Sequence, residues 1–572
     1  MEVLTTWCER TFDGARAAAF AAAGCSAVVA RILAARGVDA AGLDEFLDPS
    51  LERISDPSLI PGVDAAVQVI LPFLRSGKIV VFGDYDADGV CASAILVTAL
   101  RRLGANADAF IPLRFGEGYG MTGASITRLF AEHPDVSLVI TVDNGITSPS
   151  EVASMRARGV AVVVTDHHLP GTTLPEADAL VNPSVASAPG CEALCGAGVA
   201  FFLANALAKA AIAAGLYSGP KFAGPLLVLA GLATVVDLVP LVGQNRILVM
   251  QSLANFRRCA PLGLRALLQR AARSVKPMAV RDYSFALGPR INAAGRMDTA
   301  RVAYDLLMCE DCDVANDIAF RIDNLNVSRR GEEQRIYSEA CAQIGERPPE
   351  SAIVVRGEDW NPGVSGIVAA RLMETYHVPV AVVVGDTGSV RVPDGYNVRS
   401  ALDASAEHLA RYGGHAAAGG FTVRPGEFDA FKAAFSAACA GIKAEASAAG
   451  AIMFDGWMEP EEITLDLCET IRRLEPFGEG NPEPVFGISN VAFGDVRVVG
   501  MDGRHAALTF ADNSIPRAVW WGHGQDVEAL RAKSAARYDV LFTPASSDYG
   551  GELHVELHIV AMRPATVPAA VL

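Results

Sequence analysis

Charge is scarce in this sequence, and its balance is acidic: 20% of the 572 residues are Asp, Glu, Lys or Arg, and the formal net charge is −17. The chain as a whole therefore lacks the cationic excess that supplies most non-specific affinity for nucleic acid. Long apolar runs are missing too. One uncharged apolar run, Phe222 to Val236, contains a proline and falls short of the roughly 20 residues that cross a bilayer, so it reads as buried core. The apolar stretch Ala17 to Ala30 has no basic n-region, since Glu2, Glu9 and Asp13 precede it with only Arg10 and Arg16, and export is not expected. Eleven cysteines without regular spacing suit a reducing cytoplasm better than a disulfide framework. Cys309 and Cys312 form a lone CxxC with no second pair to complete a zinc site. Tandem repeats and low-complexity segments are absent as well.

What remains is a globular composition, 51% hydrophobic, in a chain long enough for three or four domains. Between Lys78 and Asp237, β-branched runs at Ile79 to Phe82, Ala107 to Ile111, Ser137 to Val142, Val160 to Thr165 and Ala179 to Val181 alternate with Ala/Leu-rich stretches. This alternation predicts an α/β fold around a parallel sheet. Asp311 to Ile344, polar and free of proline, predicts a long connecting helix. A smaller α/β unit follows, with strands at Ser351 to Val355 and Val378 to Val384, a helix at Val364 to Tyr376 and a glycine-rich loop at Gly413 to Gly420. Beyond the Ala-rich stretch Ala444 to Ala451, the strands Pro484 to Val499, His505 to Phe510, Arg517 to Trp521 and Glu552 to Ala561 predict a small β-barrel.

The acidic average hides a basic stretch. Arg257 to Arg301 holds ten basic residues against Asp282 and Asp298, a local balance of +8 and a candidate phosphate-binding face.

The strongest chemical signal is Gly83-Asp84-Tyr85-Asp86-Ala87-Asp88-Gly89, three alternating carboxylates between a strand and a helix, as hard cations require. An EF-hand loop is excluded, because its twelfth position needs a bidentate Glu and Ile95 stands there. Further apolar runs end in Val142-Asp143-Asn144-Gly145, Thr165-Asp166-His167-His168 and Val235-Val236-Asp237. Loops at the carboxyl ends of parallel strands share one edge, so these side chains can converge. Carboxylates with imidazole and no cysteine suit Mn²⁺ or Mg²⁺ in a two-metal site, imidazole favouring Mn²⁺. Such a pair, roughly 3.5 to 4 Å apart, activates water and neutralises a phosphoryl group during displacement, so phosphoester hydrolysis is expected.

Asp166-His167-His168 with these carboxylates resembles the DHH phosphoesterase superfamily. The match sharpens to the RecJ family of exonucleases at the segments Arg114 to Gly120, Gly196 to Phe201, Gly288 to Arg296, Gly413-Gly414-His415 and Leu474 to Pro484. The resemblance covers nearly the whole chain, from Phe46-Leu47-Asp48-Pro49 into the C-terminal strands. It implies an N-terminal segment over 1–60, a DHH domain over 61–270, connecting helices over 271–345, a DHHA1 domain over 346–445 and an OB-fold over 446–572. It implies degradation of single-stranded DNA from the 5′ end in repair and recombination, with a single-strand-binding protein and a helicase as candidate partners and no membrane.

Carried over by motif, Asp84, Asp86, Asp88, Asp143, His167 and Asp237 are the implied metal ligands and Asp166 and His168 the catalytic pair, with His168 facing the scissile phosphate. Arg114, Tyr119, Arg290, Asn292, Arg296, Arg391 and His415 are the implied substrate contacts. Three positions depart from the family: Cys91 replaces Ser or Thr, Asn361-Pro362 replaces a His-containing pair, and Val392-Pro393 follows Arg391 in place of Ser-Ile. Superfamily relatives that cleave short oligonucleotides, cyclic dinucleotides or pyrophosphate are compact two-domain proteins, and the N-terminal segment and barrel here argue for a longer strand. A non-catalytic replicative-helicase subunit of this fold has a degraded metal site, whereas the carboxylate set here is intact.

Overall fold

The computed structural model describes residues 6–118, 120–271, 277–414, 417–442, 451–500, 502–533, 536–549 and 552–565. They fall into two compact units, one of residues 54–449 and one that joins 1–53 to 450–572.

The larger unit is built on a five-stranded, all-parallel sheet ordered Asn106–Phe110, Lys78–Phe82, Val136–Thr141, Ala161–Thr165, Ala179–Val181. Its β-branched residues serve both faces. Ile79 and Val81 join one apolar cluster while Val80 and Phe82 join another, as expected when helices cover both sides of a parallel sheet. The chain leaves the first strand for one neighbour and returns to the other side. The carboxyl ends of Lys78–Phe82 and Val136–Thr141 therefore flank a topological switch point, where α/β sheets place their ligands. Gly196–Ala213, the one helix long and apolar enough to cross a membrane among the described residues, is buried over 61% of its length. It packs in the core of this unit.

Asp311 caps the 33-residue helix Cys312–Ile344, accepting from the backbone N–H groups of Asp313 and Val314. This helix leads to a second sheet, ordered Leu409–Gly414, Ala418–Val423, Thr387–Arg391, Val380–Val384, Ile353–Gly357. Only its last two strands are parallel. The glycine-rich stretch expected as a loop supplies strand instead: Gly413 pairs with Gly420 across a hairpin. The Phe421 ring covers Gly388, where a Cβ would stand 2.2 Å from Cζ.

In the smaller unit, six strands run in the order Phe486–Val491, Tyr538–Tyr549, Glu552–Pro564, Ala518–Trp520, His505–Phe510, Phe493–Val499. Ala492 alone separates the two edge strands in sequence, so the sheet must curl until those edges meet at that corner. Phe20, Ile32, Leu33 and Phe46 of the N-terminal helices share its core with Phe486, Val540, Phe542 and Leu557. Trp7–Glu9 adds a parallel pairing to Ile452–Phe454. Asp455 fixes the seam. Its Oδ2 accepts from Val485 N (2.9 Å), Arg10 Nε lies 3.6 Å from Oδ1, and Arg31 donates to its carbonyl (3.0 Å).

Candidate metal centre

The first three carboxylates diverge in their tasks. Asp86 caps the helix Ala87–Arg102, its Oδ1 accepting from Asp88 N and Gly89 N at 3.0 Å each. Asp84 Oδ1 accepts from Tyr85 N (2.7 Å). Asp88 points the other way, onto the start of Gly196–Ala213: Gly196 N donates to Oδ2 (2.6 Å) and Ala197 N to Oδ1 (2.8 Å). The positive end of a helix thus holds a buried carboxylate.

Asp143 adopts φ 59°, a left-handed conformation that Asp tolerates better than most residues. The glycine at 196 makes its position possible, because a Cβ there would stand 2.6 Å from Asp143 Cβ and 2.9 Å from its Cα. Gly196→Ala should therefore displace Asp143. Calorimetric Mn²⁺ titration should show at least about a tenfold loss of affinity, as for changes that misplace a metal ligand. Unchanged affinity would mean that the backbone absorbs the methyl.

Asp166 engages both oxygens inside the protein. Oδ1 accepts from His167 N (2.8 Å), His168 N (3.2 Å) and His168 Nδ1 (2.8 Å), while Oδ2 accepts from Ile146 N (3.0 Å). It orients the two histidines. Burial alone would lower the His168 pKa, but the hydrogen bond and charge of Asp166 outweigh it, and the shift is upward. His167 shifts downward, burial exceeding the pull of Asp88.

His167 Nε2 carries the clearest sign of a cation. It is buried and makes no hydrogen bond, yet Asp143 Oδ1 lies 3.2 Å away, Asp237 Oδ2 3.7 Å and Asp88 Oδ2 3.8 Å. Burial, then mutual repulsion, pushes Asp84 up to about 7 and Asp237 to about 9, and raises Asp88 and Asp143 as well. Carboxylates packed this way around an unused imidazole nitrogen fit hard divalent cations. Donor atoms within 4.8 Å of one another group as Asp84, Asp86 and Asp143, as Asp88, His167 and Asp237, and as Asp143, His167 and His168. Asp143 belongs to the first and third of these groups and lies 3.2 Å from His167 of the second, so it stands between two candidate cation positions.

Asp237 reaches the cluster from the C-cap of the helix Ala223–Val236, whereas the sequence pattern places it after a strand. An apolar run carries no period that distinguishes the two. The one sequence signal for the cradle at Gly196 and Ala197 is Gly196-Ala197-Gly198 opening an apolar helix, which does not by itself point to Asp88.

The implied substrate contacts separate into groups. Arg296, partly buried, donates to the Gly363 carbonyl (2.9 Å). Its pKa falls to about 10, through burial first and then Arg114 and Arg329, with Arg391 adding and Asp86 opposing. Arg114, Arg329 and Arg391 thus lie within electrostatic reach of Arg296, as does Asp86 of the carboxylate loop. Arg114 also lies over the Tyr85 ring (4.9 Å).

Arg290 and Asn292 are engaged internally. Arg290 Nε pairs with Asp323 (2.8 Å) and Nη1 donates to the Ala286 carbonyl, while Asn292 Oδ1 accepts from Ala87 N (2.8 Å) and braces the carboxylate loop. Arg301 is paired to Asp305 as well, whereas Arg257, Arg258, Arg270 and Arg281 of the basic stretch are exposed. Tyr119 and His415 lie outside the described residues, as do Arg273 and Lys276. Arg329, on the long connecting helix, pairs through Nη1 with Glu333 (3.0 Å) and donates from Nη2 to Asn326 Oδ1 (3.1 Å), while its Nε is buried without a partner.

Residues 78–224 match the DHH family N-terminal domain, 350–441 the DHHA1 domain and 454–561 the RecJ OB domain. The chain is 38% identical over 484 residues to the single-stranded-DNA-specific exonuclease RecJ of Dickeya dadantii (strain 3937), covering 80% of this chain and 83% of that one. The crystal structure of RecJ in complex with Mn²⁺ from Thermus thermophilus is similar at a TM-score of 0.83 and 30% identity, over 99% of this chain and 81% of that one. The Mg²⁺ complex from the same organism gives 0.78 at 29% identity, over 98% and 79%.

Proposed function

The chain belongs to the RecJ family of single-stranded-DNA-specific exonucleases, a family of metal-dependent nucleases, and from that premise we propose that it degrades single-stranded DNA from the 5′ end by two-cation hydrolysis, in DNA repair and recombination. The observation that carries the mechanism is Asp143 between two donor groups, with the unused His167 Nε2 beside it. Asp84 and Asp86 hold one cation, Asp88, His167 and Asp237 the other, and Asp143 serves both, with Mn²⁺ favoured over Mg²⁺ by the imidazole donor. When bound, the cations supply an activated water and neutralise phosphoryl charge.

The chain's own groups do the rest. Asp166 fixes His168 with Nδ1 toward itself, and the upward shift biases the ring toward its protonated form, which donates to a phosphoryl oxygen. Arg114, Arg296, Arg329 and Arg391 bind phosphate beside the cluster, and Tyr119 and His415 complete the proposed contacts. Arg290 and Asn292 act as positioning residues through Asp323 and Ala87. The cytoplasm, with strands opened by a helicase or coated by a single-strand-binding protein, is the setting this reading implies.

Incubating 5′-labelled and 3′-labelled single strands with Mn²⁺ tests the polarity. Early release of the 5′ label as a short product is expected; early release of the 3′ label would reverse the assignment.

A further inference from the structure

Two large apolar side chains stand in solvent where the fold could have buried or omitted them. Leu238, 73% exposed, directly follows the proposed ligand Asp237. Its φ is 57°, a left-handed conformation natural to glycine and strained for leucine. Phe285, 74% exposed, occupies the middle of a π-helical turn, Tyr283–Leu287, whose Tyr283, Ala286 and Leu287 are buried. Single π turns recur at functional sites.

Both attach to the metal centre. The π turn runs into Gly288–Met297, and Gly288 packs on Val236, where a Cβ would lie 2.5 Å from Cγ2; Val236 precedes Asp237. Seven residues beyond Phe285, about 10 Å along a helix axis, Asn292 braces the carboxylate loop through Ala87. Pro289, Asn292 and Arg296, at helical spacing from Phe285, are partly exposed, while Ile291, Ala293, Ala294 and Gly295 are buried. One side of this segment therefore leads from the arginine cluster, past the carboxylates, to Phe285.

We propose that Phe285 stacks on a nucleobase of the strand whose backbone lies at the metal centre, and that Leu238, next to Asp237, offers that strand an apolar contact without stacking. The inference rests on the exonuclease reading and adds side chains that contact bases rather than phosphates. Stacking of this kind is tolerant of sequence, since every base offers a π face.

The test compares KM of full-length protein for an oligothymidylate with KM for an abasic strand of the same length. Phe285→Ala should raise KM on the oligothymidylate roughly 5- to 150-fold, the effect of losing one stacked base, and abolish the preference for it over the abasic strand. Phe285→Trp should restore the preference and Phe285→Leu should not. The salt dependence should keep its slope, because no phosphate contact is lost. Equal KM changes on both strands, or none on either, would overturn the proposal while leaving the exonuclease reading intact. So would an unchanged KM with a shift in sedimentation, which would assign Phe285 to self-association. Absence of hydrolysis in the parent protein would instead refute the reading beneath it.

Discussion

Asp143→Asn should reduce hydrolysis of single-stranded DNA by more than about a hundredfold, the scale seen when a group that stabilises a transition state is removed, while the metal-free protein stays folded. Asn tolerates the left-handed backbone at 143, so the substitution removes charge without imposing strain. What it removes is a buried carboxylate repelled by Asp88, Asp86, Asp84 and Asp237, after burial itself has raised its pKa. The variant's metal-free melting temperature should equal or exceed the parent's, and the rise on adding Mn²⁺ should shrink. More than about a tenth of parental activity surviving would refute the shared-ligand role.

The same electrostatics set a pH dependence. Asp84 is pushed up to about 7 and Asp237 to about 9, above the unfolded carboxylate value near 4. The metal-free fold therefore binds more protons than the unfolded chain, and its stability falls as pH rises through that range. Cation affinity moves oppositely, because the ligands must shed those protons, and should climb between about pH 7 and 9.

The second large effect concerns where the chain is cut. Truncation after residue 445 retains every proposed ligand but removes the sheet against which Phe20, Ile32, Leu33 and Phe46 are buried. Each such aromatic or aliphatic anchor is worth about 1.5–3 kcal/mol of burial, so the remaining residues 1–53 should be unfolded and the protein aggregation-prone. A chain of residues 54–445 avoids this. It should stay soluble and cleave a dinucleotide, yet release long strands often, for it lacks Trp521, 53% exposed, and the curled sheet that we propose holds the strand. Both variants can be followed by light scattering and by turnover on the two substrates. Equal losses on dinucleotide and long strand for 54–445 would make the smaller unit a support for the fold.

Local patterns in the sequence carried much of this architecture. The five parallel strands begin and end within a residue or so of their β-branched runs, and Asp311 marks the start of the long helix because a capping side chain is a local device. What escaped was non-local or locally ambiguous. Tyr538–Tyr549 was not assigned, although its pairing to Glu552–Pro564 is the longest ladder of its sheet. Polar Ser546, Ser547 and Asp548 interrupt its alternation. The motif spacing brings out the metal cluster but not its support. The helix start beneath Asp88 and the strained Leu238 depend on backbone geometry, which residue identity alone does not encode.

The parallel pairing of Trp7–Glu9 with Ile452–Phe454 has a consequence for biosynthesis. About 400 residues, the whole larger unit, separate Arg53 from Gly450. At roughly 5–20 residues per second on the ribosome, the N-terminal helices emerge some 20–80 s before their partner strands exist. Phe20, Ile32 and Phe46 must wait that long without a core, so a segment translated before the larger unit folds after it. A chaperone that shelters nascent apolar helices should therefore raise the yield of full-length protein more than that of residues 54–445.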